Sequence, residues 1–323
     1  MTRFILGRLI KAGFILLAIL IFNFLLIHAA PGDPAAVMAG EAGAADEKFL
    51  ADLRERFGLD QPLYIQLWTY LQGAVQLDLG FSYRQQMPVA ELIADRLPAT
   101  LLLTGVAFLL SLSLGVLAGV AASARQGSWG DTIISTLALL FYATPLFWVA
   151  LMAALVFSVW LGWLPGFGYS TVGAGYTGWA HALDVAKHLV LPATTLGLFF
   201  TAIYMRMTRA SMLEVSRLDF VKTARAKGVK RRVILRRHIL RNALLPVITL
   251  AGLQAGQIFG GAILTETVFA WPGIGRLMFE AINQRDYAVI LGVFYISGAM
   301  VLLFNLITDV FYVIIDPRIR LTG

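Results

Sequence analysis

Two glutamines are the polar residues that stand out within the apolar segments of this sequence. Gln254 and Gln257 interrupt an apolar run, where an amide side chain is costly unless it faces protein or water. At 100° per residue they lie roughly 130° from Gly252, Gly256 and Gly260, a stripe that permits close helix packing. The glutamines can form hydrogen bonds to a neighbouring helix or line a translocation pathway, and the sequence leaves both interpretations open.

Motifs for enzymatic catalysis are absent from the sequence. It contains no GxxxxGK[ST] phosphate loop, which ATP hydrolysis would need, and no HExxH or GxSxG motif. It contains no cysteine, so disulfides and thiolate metal sites are excluded. The histidines lack metal-ligating partners at helical spacing; they are His28, His181, His188 and His238. We therefore predict no catalytic residue, metal site or cofactor in this chain, which disfavours an intramembrane protease or metalloenzyme.

The composition places most of the chain in a lipid bilayer. The sequence is 59% hydrophobic and 14% charged, whereas about a quarter of the residues in soluble domains are charged. A spanning helix needs about 20 mostly apolar residues, and six segments meet this requirement: Leu9–Ala30, Ala99–Ala122, Thr132–Trp160, His188–Met207, Ala243–Thr265 and Val289–Ile315. These runs do not alternate apolar and polar residues, which excludes a closed barrel. We predict an all-α integral membrane protein with six transmembrane helices, the third kinked at Pro145.

The first of these segments admits a second interpretation. Arg3, Arg8 and Lys11 before an apolar run also suit a secretory signal peptide. Pro31 directly after Ala30 is a poor context for cleavage, and further spans follow. We therefore predict an uncleaved first transmembrane helix.

The distribution of charge predicts the orientation, because Lys and Arg accumulate in cytoplasmic loops. With the N-terminus in the cytoplasm, 18 of the 26 Lys and Arg residues lie inside, against 4 of the 19 acidic residues. Both termini are then cytoplasmic. The net charge of +7 follows from this topology, and no nucleic-acid-binding module surrounds it. We therefore predict no nucleic-acid partner.

Three regions outside the spans are long enough to contact other molecules. Residues 31–97 are predicted to form an external insert, and the outer loop Leu161–Lys187 is rich in aromatic residues, which suits the membrane interface or a docking protein. The inner loop 206–242 holds twelve Lys and Arg residues, so it is either a solvated topology signal or a docking site. Within it, Arg217–Ala226 is predicted to form a short helix that ends at Gly228, because glycine tolerates the left-handed C-cap conformation.

Nine segments, in order and covering nearly the whole chain, resemble the permease subunits of the dipeptide, oligopeptide and nickel ABC importers. The similarity is greatest to the oligopeptide-permease B-type subunit, which has a long external segment after the first span. The segments are PGDP at 31–34, RFGLDQPLYIQ at 56–66, LGFSY at 79–83, PVAELIADRLPATL at 88–101, DFVKTARAKGV at 219–229, LRNALLPVIT at 240–249, ETVFAWPGIGRL at 266–277, QRDYAVILG at 284–292 and DPRIR at 316–320.

The resemblance implies a type I ABC importer permease fold in a bacterial inner membrane. In this family a coupling helix of the inner loop docks into an ATPase subunit. The residues that fall in the corresponding segment are Arg217, Asp219, Phe220, Val221, Thr223, Ala224, Arg225, Ala226 and Gly228. The triplet Lys222-Thr223-Ala224 lacks the glutamate of the general motif, so no role is assigned to such a residue.

The same resemblance implies the partners and the transported solute. The partners are a second permease subunit, two ABC ATPase subunits that bind ATP and Mg²⁺, a substrate-binding protein at the outer face, and membrane lipid. We therefore expect import of di- and oligopeptides by alternating access, with nickel chelates, glutathione or another small solute as alternative cargo. An ion-gradient-driven secondary transporter, or a membrane scaffold or receptor, would need no ATPase partner.

Overall fold

The computed structural model describes residues 2–29 and 60–315, without the side chains of residues 2–5, 27, 255, 257–261 and 309–315. Within that part the chain is almost entirely helical. Three features predicted from the sequence lie outside the described residues: the Pro-Gly-Asp-Pro turn at 31–34, the remainder of the external insert up to residue 59, and the tail segment at 316–320.

In chain order, the described elements are long helices joined by short connections. They are α1 (Thr2–Ala29), α2 (Leu63–Val75), an antiparallel pair of short strands β1 (Phe81–Ser82) and β2 (Met87–Pro88), α3 (Val89–Ala124), α4 (Trp129–Ala143), α5 (Leu146–Ala154) prolonged by a π-helical turn (Leu155–Trp160), α6 (Gly178–Val215), α7 (Asp219–Ala226), α8 (Arg231–Val233) followed by a π-helical segment (Ile234–Leu240), α9 (Arg241–Val268), α10 (Ile274–Gln284) and α11 (Tyr287–Ile315).

Within the described residues, five of the six predicted spans coincide with one helix each and the third coincides with two, and the all-α membrane fold is confirmed. Four of the described helices are long and apolar enough to cross a bilayer alone, namely α1, α3, α6 and α11. α4 and α5 together provide a further span, broken by a bend of 101°. α9 is 28 residues long and covers the predicted fifth span; at 1.5 Å per residue it reaches about 42 Å, enough to cross the membrane.

The third predicted span is broken rather than kinked. Thr144 adopts an extended conformation, with φ −82° and ψ 136°, because the following proline disfavours a helical conformation at that residue. Pro145 has no N–H to donate and takes the N-cap position of α5. The single helix predicted over Thr132–Trp160 is therefore corrected to two helices joined by a sharp turn.

Two spans extend well beyond the apolar segments that predicted them. α3 begins at Val89 rather than at Ala99, and α6 covers Gly178–Val215 rather than His188–Met207. Hydropathy marks only the lipid-facing part of a helix, whereas the backbone hydrogen bonds continue through polar turns on either side. The end of the external insert and the beginning of the inner loop are consequently helical.

α3 and α6 pack closely at the centre of the fold. Gly115 and Gly119 of α3 allow this approach, because a Cβ on either would lie 2.5 Å from the Cβ of Tyr204 or Thr208 of α6. Small residues let two membrane helices meet close to their backbones. The fit between α3 and α6 leaves no room for larger side chains at these two positions.

The glycine stripe of the fifth span is directed at α11. A Cβ on Gly252 would overlap the Thr308 side chain, and a Cβ on Gly256 would lie 3.2 Å from Val301 Cγ1. The Thr308 hydroxyl donates to the Gly252 carbonyl at 3.2 Å. The stripe therefore serves helix packing in the part of α9 whose side chains are described.

Candidate functional site

The inner loop contains the short helix expected there, although α7 begins at Asp219 rather than at Arg217. Leu218 takes the N-cap position in an extended conformation, with φ −69° and ψ 150°. Asp219 in the first turn and Arg225 in the last turn complement the helix dipole. Lys222 pairs with Asp219 at 2.8 Å in an exposed ion pair, which adds little to stability.

Gly228 ends α7 with a Schellman motif. Its φ is +74°, a left-handed conformation that glycine adopts without a steric cost. The Gly228 N–H donates to the Arg225 carbonyl at 2.9 Å, and the Val229 N–H donates to the Ala224 carbonyl at 3.2 Å, the two hydrogen bonds that define this motif. Gly228 therefore sets the direction in which the chain leaves α7.

The nine candidate coupling residues divide between two faces of the inner loop. Val221 and Ala224 are buried, with 0% and 7% of their surfaces exposed, in a cluster with Met212 of α6 and with Ile234 and Ile239 of the returning segment. The other seven are exposed to solvent: Arg217, Asp219, Phe220, Thr223, Arg225, Ala226 and Gly228. The buried pair holds α7 on the membrane domain, and the exposed set is available to another protein.

A bidentate ion pair, which the sequence does not predict, joins the beginning of α4 to the last two turns of α6. Arg209 of α6 donates from Nε and Nη2 to the two carboxylate oxygens of Asp131 of α4, both at 2.7 Å. The Gly127 N–H also donates to this carboxylate at 3.1 Å. Because the two hydrogen bonds are parallel, they fix the orientation of the Arg209 and Asp131 side chains as well as the distance between them. The pair therefore ties the broken span to the helix that precedes α7.

Both glutamines predicted for the pathway lie on α9. Gln254 is half-buried, and its Oε1 is buried without a hydrogen-bond partner in the described part of the structure. The Gln257 side chain lies outside the described residues. The hydroxyls of Tyr204 and Thr208 on α6 are likewise buried without partners among the residues described. A role for the glutamines in the pathway stays a prediction.

The outer end of α9 carries a buried carboxylate that joins three helices. Glu266 is 0% exposed. Its Oε1 accepts from the Thr100 hydroxyl of α3 at 2.7 Å, and its Oε2 accepts from the Arg276 N–H of α10 at 3.0 Å. The Thr100 oxygen in turn accepts the Ile274 N–H at 2.8 Å. We call these four residues, Glu266, Thr100, Ile274 and Arg276, the outer carboxylate network.

Two glycines of the outer loop make room for this network. A Cβ on Gly273 would overlap the Glu266 carboxylate, and a Cβ on Gly275 would lie 2.7 Å from the Ile263 Cα. The glycine and proline density of this loop is a weak signal in the sequence. In the structure it belongs to a packed turn whose backbone N–H groups face a buried acid.

The described residues contain no group of three or more His, Asp or Glu side chains that could hold a metal ion. Two other buried acids, Asp184 and Asp286, also accept hydrogen bonds. Asp184 accepts from the Thr171 N–H at 2.6 Å, and Asp286 accepts from the Ser82 hydroxyl at 2.5 Å. These carboxylates hold loops to helix ends.

Family models match the chain in two parts. A model described as the binding-protein-dependent transport system inner membrane component matches residues 111–321. A second model, of the N-terminal part of such membrane components, matches residues 1–104.

Several relatives match this chain over nearly its whole length. The dipeptide transport system permease protein of Alkalihalophilus pseudofirmus is 41% identical, covering 99% of this chain and 100% of the relative. A putative peptide transport system permease protein of Brucella abortus is 40% identical, covering 99% of both chains. The glutathione transport system permease protein of Escherichia coli is also 40% identical with the same coverage.

Solved structures of ABC transporters share the fold. An inward-facing structure of the MetNI methionine ABC transporter has a TM-score of 0.57 at 17% identity, covering 70% of this chain and 96% of that chain. The crystal structure of an amino acid ABC transporter with histidines has a TM-score of 0.51 at 15% identity, covering 69% and 93%. At these identities the likeness concerns the fold alone.

Proposed function

The chain belongs to the family of binding-protein-dependent transport system inner membrane components, and we therefore propose that it is the permease subunit of an ATP-driven ABC importer of di- and oligopeptides. The observation that carries this proposal is the identity of 40–41% over 99% of the chain to permeases named for dipeptide and peptide transport. The relative named for glutathione transport, at 40% identity, makes glutathione the second candidate cargo.

The proposed complex contains subunits beyond this chain. The family implies ATPase subunits and a substrate-binding protein, and we further propose a second permease of the same family beside this one. ATP and Mg²⁺ would bind to the ATPase subunits, since this sequence has no phosphate loop. The basic inner loop supports an orientation with both termini in the cytoplasm, and in that orientation α7 would lie on the side where the ATPases bind.

We propose that α7 couples closure of the ATPase subunits to movement of the membrane helices through direct contacts. The exposed face, which includes Phe220 and Arg225, would sit in a cleft of an ATPase subunit. Closure of the ATPases would displace α7, and the buried Val221 and Ala224 would carry this displacement to α6 and α9, because close-packed interiors transmit strain. The Arg209–Asp131 pair extends the connection to α4. The membrane helices would then alternate between outward-facing and inward-facing arrangements.

Uptake of a labelled dipeptide tests this function. A strain that lacks the transporter is complemented with this chain and its neighbouring subunits, and uptake is measured with and without ATP depletion. Uptake that requires both the chain and ATP supports the proposal. Uptake that collapses with the ion gradient while ATP is maintained would identify a secondary transporter instead. An intact complex with active ATPases but no dipeptide uptake would direct the same assay to glutathione and nickel chelates.

A further inference from the structure

α2 is a short helix without a charged residue, packed against the end of the first span. Its sequence is LYIQLWTYLQGAV. The Gln66 side chain meets His28 Nε2 at 3.0 Å, and the ring of Tyr70 lies 5.9 Å from the ring of Phe24, one turn earlier on α1. The Tyr295 hydroxyl of α11 donates to the Ala74 carbonyl at 3.2 Å. One face of α2 is therefore held by α1 and α11.

A second face of α2 is apolar and exposed. Tyr64, Trp68 and Val75 are 73%, 62% and 83% exposed. With the half-buried Leu71 they fall within an arc of about 60° at 100° per residue. We call these four residues the aromatic stripe of α2. Nothing in the described residues covers it.

A third face of α2 is exposed and mainly polar. Thr69, Gln72 and the C-cap residue Gln76 are all exposed and lie about 40–100° beyond the nearer edge of the aromatic stripe, with Ile65, 36% exposed, between them. A helix that presents one face to protein, one apolar face and one polar face to its surroundings is typical of a segment that lies at a membrane–water boundary.

The contacts with α1 set the level of α2 in the membrane. Phe24 and His28 belong to the last two turns of α1, at the end of its apolar span Leu6–Leu26. At the same level α1 exposes Leu25 and Leu26, 56% and 50% of whose surfaces are accessible. α2 is thus held at the level at which the apolar span of α1 ends.

We propose that α2 is an interfacial anchor whose aromatic stripe lies in the phospholipid leaflet at the outer membrane–water boundary. Trp and Tyr are enriched at this level of membrane proteins, because their rings are apolar and their N–H or O–H groups reach water. Lipid is favoured over a docked protein because Phe24 and His28, which contact α2, lie at the end of the apolar span of α1. The assignment to the outer leaflet rests on the proposed orientation of the chain; the assignment to lipid does not.

Spin labelling tests this proposal directly, because the chain has no native cysteine. Single variants Trp68→Cys and Val75→Cys carry a nitroxide on the stripe, and Thr69→Cys and Gln72→Cys carry it on the polar face of the same helix. The assembled transporter is reconstituted in phospholipid liposomes without its binding protein. Collision rates with oxygen, which concentrates in lipid, are compared with those of a water-soluble paramagnetic reagent.

Labels at 68 and 75 are expected to meet oxygen several-fold more often than the aqueous reagent, and labels at 69 and 72 are expected to show the reverse preference. Equal aqueous access at all four positions would overturn the proposal. So would stripe labels that are accessible to water until the binding protein is added and protected afterwards, since the stripe would then be a protein-docking face. Dipeptide uptake by each labelled complex reports separately on the transport function.

Discussion

The two ends of this permease use polar residues in opposite ways. In the inner loop, seven of the nine candidate coupling residues are exposed to solvent, five of them on α7, and α7 is held by the buried side chains of Val221 and Ala224. At the outer end, Glu266 is fully buried and both of its oxygens accept hydrogen bonds. An exposed charge gains little free energy from its ion pairs within the chain, so it can give them up to bind a partner. A buried carboxylate with all its hydrogen bonds formed instead holds its donors in one arrangement. The comparison indicates that the buried network fixes the arrangement of the helices around Glu266, and it agrees with the proposal that the exposed face of α7 receives a partner.

The largest effect on stability is expected from Glu266→Ala. This change removes the acceptor of the Thr100 hydroxyl and of the Arg276 N–H, and each buried donor left unpaired costs about 1–3 kcal/mol. Thermal unfolding of the purified chain in detergent should shift to clearly lower temperature. Glu280→Ala is the matched control, because its partly exposed ion pair with Arg276 is worth about 0–1 kcal/mol. Equal unfolding temperatures for the two variants would contradict the role of the outer carboxylate network.

Gly273→Ala should destabilise the outer carboxylate network by crowding it, whereas Glu266→Ala removes its acceptor. The new methyl group would displace the Glu266 carboxylate, and overpacking of this kind costs about 1–3 kcal/mol. Gly105→Ala is the control, since a Cβ there meets nothing within 4 Å. The double variant with Glu266→Ala should be less destabilised than the sum of the single changes, because the truncated side chain vacates the space. Additive effects would show that the two residues act independently.

Local features of this fold follow from the sequence, and long-range pairs do not. The end of α7 at Gly228 depends on a residue type and its immediate neighbours, and the sequence predicts it. The hydrogen bond between Thr100 and Glu266 joins residues 166 positions apart, and the Arg209–Asp131 pair joins residues 78 apart. Such pairings depend on how the helices pack, which hydropathy and spacing do not specify. Hydropathy also misses the turns of α3 and α6 beyond their apolar segments, because backbone hydrogen bonds continue through polar residues.

The Arg209–Asp131 pair should stabilise the fold less than the outer carboxylate network and more than an exposed ion pair. The reason is that Asp131 is buried and Arg209 is partly exposed. A double-mutant cycle with Arg209→Ala and Asp131→Ala should give a clearly favourable coupling free energy, because the bidentate geometry joins two charged groups. The measurement is thermal or chemical unfolding of the four proteins in detergent. A coupling near zero would mean that this pair does not hold α4 to α6, and would separate it from the outer carboxylate network.

Gly228→Ala tests the turn that directs the chain away from α7. A side chain in the left-handed conformation, at φ +74°, costs roughly 1–2 kcal/mol. We expect a small loss of stability together with reduced dipeptide uptake, since the end of α7 would shift relative to its docking surface. Lys227→Ala is the control, because its φ of −76° suits any residue. Unchanged uptake in Gly228→Ala would show that the end of α7 tolerates another geometry.

The smallest effect on stability, and the largest on transport, is expected at the exposed face of α7. Phe220→Ala and Arg225→Glu alter surface side chains, and such changes usually remain within about 0.5 kcal/mol. Unfolding temperature and membrane abundance should match the unaltered chain, while ATP-dependent dipeptide uptake and co-purification of the ATPase subunits should both fall. Arg232→Glu reverses a charge in the same loop outside α7 and should be milder. Normal uptake in both α7 variants would remove the coupling role from this face and leave α7 as a packed element of the inner loop.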